Sequence, residues 1–487
     1  MSESGIPEIH RQVRDGVPVF STPSAPDFVG ALMFRVGVSD ETIATRGLTH
    51  LVEHLALFQL GRRDHPVNGF VDGLRTVFHA TGTPDQVASF FRDLIAALAD
   101  PPLPRIRNEA RVLRTEAMRH GSDPAQSLLW QRYGSRGHGL LVLAEWALDA
   151  PDSARVMDWI RDRFTADNAV AWVSGPVPES LSFAGLPRGR RCEPAPPEVL
   201  EDLRLPAWAV DRFDAVSMSF VAPRDQWIAV PLGMIADRLI DRLRFDDGLV
   251  YEVGLAMHMV GARHMHGTVT VPCLPEHVAR VQEGLFQVIE QFAADGPTAD
   301  QLQRAGDAYA ARFEQPGAVF GMLDHRTLNE LVGYRAVTAA ELIAEHRAFG
   351  SARCAHIISD ALPSTMLLLP QRQSPRRDHY QKAPVFSRTR IEGRTFRSLS
   401  QRFPWSPRGP SLVVGDEGVS WIAPSGEART VRFANCGARV DDGDVYLMGH
   451  DGFHIIVRAS EWHHGHEACG LIITSLPAVS TVHAQSR

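Results

Sequence analysis

The sequence predicts an α+β protein built from two similar mixed α/β repeats, each an antiparallel sheet packed with helices, and a small C-terminal β domain. The main observation is an internal repeat, in which an alternating strand, a helix, a second alternating strand and an amphipathic helix occur twice in the same order. A second observation is a hydrophobic content of 44% over 487 residues, which is enough to build large cores. The third is a series of short strand-like runs, separated by Gly and Asp turns, near the C-terminus.

In the first repeat, residues 27–38 alternate like a strand and lead into a helix over residues 47–60. Residues 75–100 give a second strand, which ends at Pro84, and then an amphipathic helix. After a short proline-containing break, residues 105–120 predict one more helix, which is rich in charged side chains. This order of elements defines the repeating unit.

The second repeat has the same order, with a strand over 214–222, a helix over 227–245, a strand and helix over 266–295, and a further helix. The stretch between the repeats is rich in proline, and the stretch after the second repeat is rich in Lys and Arg. We therefore predict five segments: a first repeat over 1–180, a linker over 181–206, a second repeat over 207–370, a basic linker over 371–407 and a β domain over 408–487.

Composition and charge exclude several classes of function. The formal net charge is −7, so no basic surface for nucleic acid is expected. No apolar run approaches the roughly 20 residues that a membrane span needs, and the polar N-terminus does not look like a secretory signal. The 5 cysteines are widely spaced without any CxxC pair, which favours a reducing compartment. We expect a cytoplasmic protein without a transmembrane segment.

The pattern His50-Leu51-Val52-Glu53-His54 is the sequence feature that points most directly to chemistry. On a helix, residues four apart share a face, so His50 and His54 can bind one zinc ion. Glu53 lies near the same face and can accept a proton from the attacking water without being a ligand. The alternative is a helix with two incidental histidines.

Three further features favour the metal hypothesis. A third ligand is available, because Glu109 and Glu116 are two helical turns apart on one face of the following helix. The equivalent part of the second repeat has no such motif, as expected for one active site per chain. Apolar residues surround the motif and would keep it partly dry; they are Leu48, Leu51, Val52, Leu55 and Leu57.

The stretch VGVSDETIATRGLTHLVEH, residues 36–54, resembles the pitrilysin/insulinase family of inverted-motif zinc peptidases. The resemblance continues in NGFVDGLRTVFHA, residues 68–80, and in LRFDDGLVY, residues 243–251, of the second repeat. It covers roughly residues 7–370. The separation from His54 to Glu116 (116 − 54 = 62) is shorter than the family norm, and the shortening falls between Leu60 and Asn68.

This resemblance implies a zinc metalloendopeptidase with one Zn²⁺ per chain and peptides or small proteins as substrates. It also implies a fold that forms half of a clam-shell, so that a homodimer or a heterodimer with a related subunit would complete an enclosed chamber. The site residues that it implies are zinc ligands His50, His54 and Glu116, catalytic residues Glu53 and Glu109, and substrate-binding residues Asn68, Gly69, Arg244 and Tyr251.

The C-terminal domain lies outside this resemblance and weakly resembles pleckstrin-homology-like (PH-like) domains, which are seven-stranded bent sheets closed by a helix. Its His463, His464 and His466 could suggest a second metal, but a solvated loop or helix start is the better interpretation. The strand histidines His258, His264 and His266 are interpreted as ordinary polar-face residues.

Two other functions stay open on the sequence. One is a non-catalytic paralogue that acts as a structural or substrate-presenting subunit; the complete motif argues against it. The other is a dedicated protease that removes leaders from small modified peptides, and the sequence does not distinguish it from a general endopeptidase.

Overall fold

The computed structural model describes residues 8–119, 121, 123–399 and 409–484. Within these residues the chain forms two six-stranded sheets and two four-stranded sheets, with helices packed on them. The sheets are largely antiparallel, which confirms the predicted α+β class. Residues 400–408, at the end of the predicted basic linker, lie outside the described residues.

The first sheet belongs to the first repeat and has the strand order β1-β2-β6-β3-β5-β4. Its strands are β1 (His10–Arg14), β2 (Val17–Ser21), β3 (Val29–Phe34), β4 (Val67–Val71), β5 (Thr76–Thr81) and β6 (Ala169–Val173). The helices of this repeat are α1 (Leu48–Leu60), α2 (Pro84–Ala99), α3 (Ile106–Ala117), α4 (Pro124–Tyr133) and α5 (Ser153–Arg163).

The second sheet has the order β12-β7-β11-β8-β10-β9. Its strands are β7 (Ala207–Asp211), β8 (Ala215–Pro223), β9 (Gly254–Val260), β10 (His264–Pro272), β11 (Met366–Pro370) and β12 (Gln381–Lys382). The helices are α6 (Ala229–Ile240), α7 (Val278–Asp295), α8 (Ala299–Glu314), α9 (Ala318–Leu331), α10 (Ala339–Arg347) and α11 (Ser351–Ala361).

The two large sheets share one topology. The order β2-β6-β3-β5-β4 in the first corresponds to β7-β11-β8-β10-β9 in the second. In each, the first pair is parallel (β2 with β6, β7 with β11), and the remaining pairs are antiparallel. The common order confirms the internal repeat that the sequence predicts.

One helix of each repeat packs on the sheet of the other repeat. Helix α9 of the second repeat packs Val319, Leu323 and Leu331 on the first sheet beside Met33 and Trp172. In return, α4 of the first repeat packs on β8 and β11 of the second sheet, where Leu128 is buried. Because both exchanges bury apolar surface, the two repeats hold one another in a fixed relation.

The C-terminal domain, defined here as β13 to β20 with α12, has its own core. Its strands are β13 (Arg394–Arg397), β14 (Ser411–Gly415), β15 (Gly418–Ile422), β16 (Ala428–Arg432), β17 (Cys436–Asp441), β18 (Asp444–Gly449), β19 (His454–Val457) and β20 (Thr481–His483), and its helix is α12 (Gly465–Ser475). The sheet orders are β13-β14-β15-β16 and β19-β18-β17-β20. The PH-like resemblance stays a prediction.

The segment 371–399 is more ordered than a solvated linker. Its β12 pairs with the edge strand β7 of the second sheet, and its β13 pairs with β14 of the C-terminal domain. The segment lies within the predicted basic linker, and its short strands form because exposed sheet edges offer backbone hydrogen bonds that sequence composition does not reveal. Some of its arginines have acidic partners, such as Arg377 with Glu283 and Glu290.

Candidate metal centre

Helix α1 begins at a glycine because the chain turns sharply there. Gly47 has φ +98, and a Cβ at this position would lie 2.6 Å from Cβ of Glu145. The carboxylate of Glu41 accepts hydrogen bonds from the backbone N–H groups of Gly47 (3.0 Å) and Thr49 (2.8 Å). These contacts satisfy free donors at the N-terminus of the helix and fix where its first turn, and therefore His50, lies.

His50, Glu53 and His54 lie together on α1, as the sequence predicts. Nε2 of His50 and Nε2 of His54 are each 3.8 Å from Oε2 of Glu53. One donor atom from each of the three residues lies within 4.8 Å of the others. Two imidazoles in such proximity are donors that zinc accepts, and the carboxylate of Glu53 lies beside them.

Two acids from α3 reach the same helix. Oε2 of Glu116 is 3.5 Å from Nε2 of His54, and Oε2 of Glu109 is 3.8 Å from Nδ1 of His54. Glu116 therefore lies on the side of the ring that faces Glu53, whereas Glu109 lies at the opposite ring nitrogen. This placement suits Glu116 as a ligand and Glu109 as a group that orients His54, rather than one that transfers a proton.

Glu145 is a site residue that the sequence did not reveal. Its Oε1 is 3.1 Å from Nδ1 of His50 and 3.0 Å from Nη1 of Arg46. Arg46 also contacts Glu41 at 3.3 Å, so a buried network joins the start of α1 to the first histidine. Glu145 follows α4 in the chain, and only the fold brings it to α1, so no local motif marks it.

Burial changes the protonation of these groups. Burial raises the pKa of Glu53 to about 7; the charge of His50 opposes this rise and that of Glu116 adds to it. Burial opposes the charged form of His50, but the hydrogen bond and charge of Glu145 raise the pKa of that histidine. Burial and the neighbouring His50 lower the pKa of His54. Perturbed pKa values in a cleft are typical of functional sites.

These residues line a cleft of about 1300 Å³ (here called the cleft), together with Asn68 and Gly69 of β4. Strand β4 is the edge of its sheet, so one side of its backbone has no strand partner within the described residues. A Cβ on Gly69 would lie 2.6 Å from Oε1 of Glu53, so only glycine lets that carboxylate approach the strand this closely. Residues 61–66, where the family resemblance predicts a shortened segment, form a direct loop into β4.

Arg244 and Tyr251 lie elsewhere. Their side chains contact each other, with the guanidinium carbon 4.9 Å from the ring centroid, and Tyr251 is 77% exposed. Neither lines the cleft of its own chain. The sequence therefore identified a pair that lies together, but this chain does not bring the pair to its own histidines.

Other candidate histidines do not form a second centre. Within the described residues, the α1 cluster is the one group whose donors lie close enough to hold a metal. His464 precedes α12 as its N-cap, which agrees with a helix start. The interpretation of His266 as a polar-face residue is wrong, because its side chain is completely buried in β10, on which α4 packs.

Comparisons with known proteins agree with this architecture. Residues 225–309 match the family model described as the Peptidase M16 inactive domain. No curated protein matches the chain in sequence. The match lies within the second repeat, away from the histidines of α1.

Similar solved structures show the same fold. The peptidase M16 inactive domain from Pseudomonas fluorescens has a TM-score of 0.61 at 14% identity, over 76% of this chain and 100% of that chain. A protease from Helicobacter pylori gives 0.62 at 14% identity, over 75% and 100%. Pitrilysin gives 0.52 at 15% identity, over 77% of this chain but 46% of its own length. The chain thus has the fold of an M16 half clam-shell, and its second repeat is related to the M16 peptidase family.

Proposed function

We propose that the chain is a zinc-dependent endopeptidase. The observation that carries this proposal is the arrangement of His50 and His54, whose Nε2 atoms both lie 3.8 Å from Oε2 of the buried Glu53. The cluster opens into a cleft of about 1300 Å³, which has room for a peptide segment. The equivalent helix α6 buries apolar side chains instead, and it has no such cluster within the described residues.

His50, His54 and Glu116 would hold the zinc. When bound, the ion would act as a Lewis acid. It would lower the pKa of a water molecule toward neutral pH and polarise the scissile carbonyl. Glu145 accepts from Nδ1 of His50, and the carboxylate of Glu109 lies beside Nδ1 of His54, so the two acids would hold the orientation of the two rings.

Glu53 acts as the proton carrier. Its carboxylate would accept the proton of the attacking water and pass it to the leaving amine. A group that both accepts and donates a proton works best when its own pKa is near the working pH. Burial raises the pKa of Glu53 to about 7 in the protein without metal, and the charge of a bound zinc ion would hold it lower, so that the carboxylate is ionised and can accept the proton. Because Gly69 carries no side chain, the open edge of β4 can hold an extended peptide backbone directly beside Glu53.

We propose that Arg244 and Tyr251 bind substrate in the cleft of a partner, either a second copy or a related subunit. The pair is exposed and lies outside the cleft of its own chain. The chain also covers 46% of the length of pitrilysin, so a partner of similar size would supply the remaining half.

The decisive experiment measures zinc content and cleavage of a mixed peptide library, with and without a chelator. We expect about one zinc per chain, cleavage that stops on chelation, and recovery when zinc is restored. His54→Ala should lower zinc affinity by more than the roughly 10- to 100-fold that the loss of an outer-shell partner causes. Full zinc retention in Glu116→Gln would show that a different acid, Glu109 or Glu53, completes the site.

A second candidate is a non-catalytic subunit of a peptidase assembly. The description of the matched family as an inactive domain favours it, as does the relationship to the inactive domain from Pseudomonas fluorescens. A protein that binds no zinc and cleaves no peptide, alone or with a related subunit, would support this candidate against the first.

A further inference from the structure

The C-terminal domain lies against the first repeat at the rim of the cleft. On β17, a Cβ added to Gly437 would lie 2.4 Å from Cβ of Ile43, which is itself buried. Nearby, Ser135 donates from its hydroxyl to the carbonyl of Gly449 at 2.7 Å. The domain therefore packs directly on the short turn at residues 43–45 and on the end of α4.

One arginine extends this contact into the cleft. Nε of Arg439, also on β17, lies 3.0 Å from Oδ2 of Asp149, and Arg439 itself lines the cleft. The other oxygen of Asp149 accepts from Nη1 of Arg114 at 3.5 Å. Arg114 precedes Glu116 by two residues on α3, so Asp149 joins the C-terminal domain to the helix that carries the proposed third ligand.

The contacted segments are the ones that support His50. The turn at residues 43–45 leads directly to Arg46, and the 3-10 turn that ends at Asp149 begins directly after Glu145. Arg46 and Glu145 contact each other at 3.0 Å, and Glu145 contacts Nδ1 of His50 at 3.1 Å. The C-terminal domain therefore packs against the two segments that carry Arg46 and Glu145, the residues that support His50.

We propose that the C-terminal domain forms one side of the cleft and that Arg439 is a positioning residue. Arg439 holds Asp149 in place, and the turn that ends at Asp149 holds Glu145 beside His50. This inference rests on the proposed zinc site. Outer partners of a metal ligand set its orientation and are worth roughly 10- to 100-fold in metal affinity when they touch the ligand. Arg439 acts on Glu145 only through Asp149 and the turn between them, so we expect a smaller effect, roughly threefold to tenfold.

The test compares full-length variants by competition with a zinc chelator, which reports affinity without any activity. Arg439→Gln should weaken zinc binding roughly threefold to tenfold, whereas Arg439→Lys, which keeps the charge, should recover part of the loss. Arg458→Gln is the matched control, because Arg458 is in the same domain and pairs with the exposed Glu461, outside the cleft. It should leave zinc affinity unchanged.

A double-mutant cycle tests the path through Asp149. If Arg439 acts through this residue, Arg439→Gln should add little to the loss that Asp149→Asn already causes. Additive losses would overturn the path, and unchanged zinc affinity in Arg439→Gln would overturn the inference while leaving the zinc site intact. If Arg439→Gln does not fold, Asp149→Asn decides, because a wild-type zinc affinity in that variant also overturns the inference. Failure of the wild-type protein to bind zinc would overturn both proposals.

Discussion

The two repeats have the same strand order but bury different kinds of side chain on their first helix. On α1 the buried face includes Glu53, and a network that contains Glu41 and Arg46 supports His50 on the same helix. On α6 the buried positions are apolar, and they include Leu232, Ile235 and Leu239. The fold therefore does not need buried charge at this place. Buried ionic groups stabilise a fold weakly or not at all, so their presence in the first repeat points to function.

Replacing Glu53 tests this difference most strongly. Glu53→Gln keeps the size of the side chain but cannot accept a proton, so we expect peptide hydrolysis to fall by about 10²- to 10⁴-fold. Zinc content should stay at the wild-type level, as measured by metal analysis on the same preparation.

The matched control lies on the equivalent helix. Asp237→Asn changes an exposed carboxylate of α6 and should leave both rate and zinc content unchanged. Hydrolysis at the wild-type rate in Glu53→Gln would remove the functional distinction between the two helices.

The edge strands offer the next test. Gly69→Ala would place a methyl group 2.6 Å from the carboxylate of Glu53, whereas Gly254→Ala on β9 would meet nothing closer than 3.7 Å. Because a displacement of about 1 Å costs about 100-fold in rate, we expect a loss of this order in the first variant and none in the second. Steady-state kinetics on one peptide measures both, and equal rates would show that β4 and β9 are equivalent.

The contact between the repeats should depend on pH. Nε2 of His138 accepts from the backbone N–H of Gly261 in the second repeat at 2.8 Å. Burial, followed by the charges of Arg35 and His258, lowers the pKa of His138 to about 4. The unfolded chain therefore binds a proton near pH 6.5 that the folded chain does not bind until about pH 4.

Neutral His138 therefore contributes to the free energy of unfolding above about pH 6.5. As the pH falls toward 4, the free energy of unfolding should decrease by about 1–3 kcal/mol. Denaturant unfolding at pH 7.5 and pH 4.5 measures the change. His138→Gln keeps an acceptor that does not titrate, so its stability should depend less on pH. An equal pH dependence in both proteins would contradict this explanation.

The smallest expected effect concerns the surface pair of the second repeat. Loss of one hydrogen bond to substrate is worth about 1 kcal/mol, so Tyr251→Phe should lower kcat/KM about fivefold, and Arg244→Ala should lower it somewhat more. Zinc content should not change in either variant.

The exposed Arg304 on α8, which pairs with Asp300, provides a control by Arg304→Ala. If the pair acts across an assembly interface, the loss should persist at high protein concentration. Unchanged kinetics in both variants would mean that the second repeat does not contribute to a cleft.

The sequence determined the features that depend on local patterns. The spacing of His50, Glu53 and His54 follows from the helical period, and alternating strands with amphipathic helices predicted the repeat and its α+β class. The proline at residue 84 marked the end of the second strand region and the start of α2, which begins at that residue. These features could be predicted because their physical causes act over a few neighbouring residues.

Tertiary structure decided the features that depend on residues distant in sequence. Glu145 reaches His50 across 95 positions, and Arg439 reaches Asp149 from a different domain. The same holds for the exchange of α4 and α9 between the repeats, and for β12 and β13, which join sheets inside a predicted linker. No local pattern encodes these contacts, because each one depends on burial and on open sheet edges that exist only after the chain has folded.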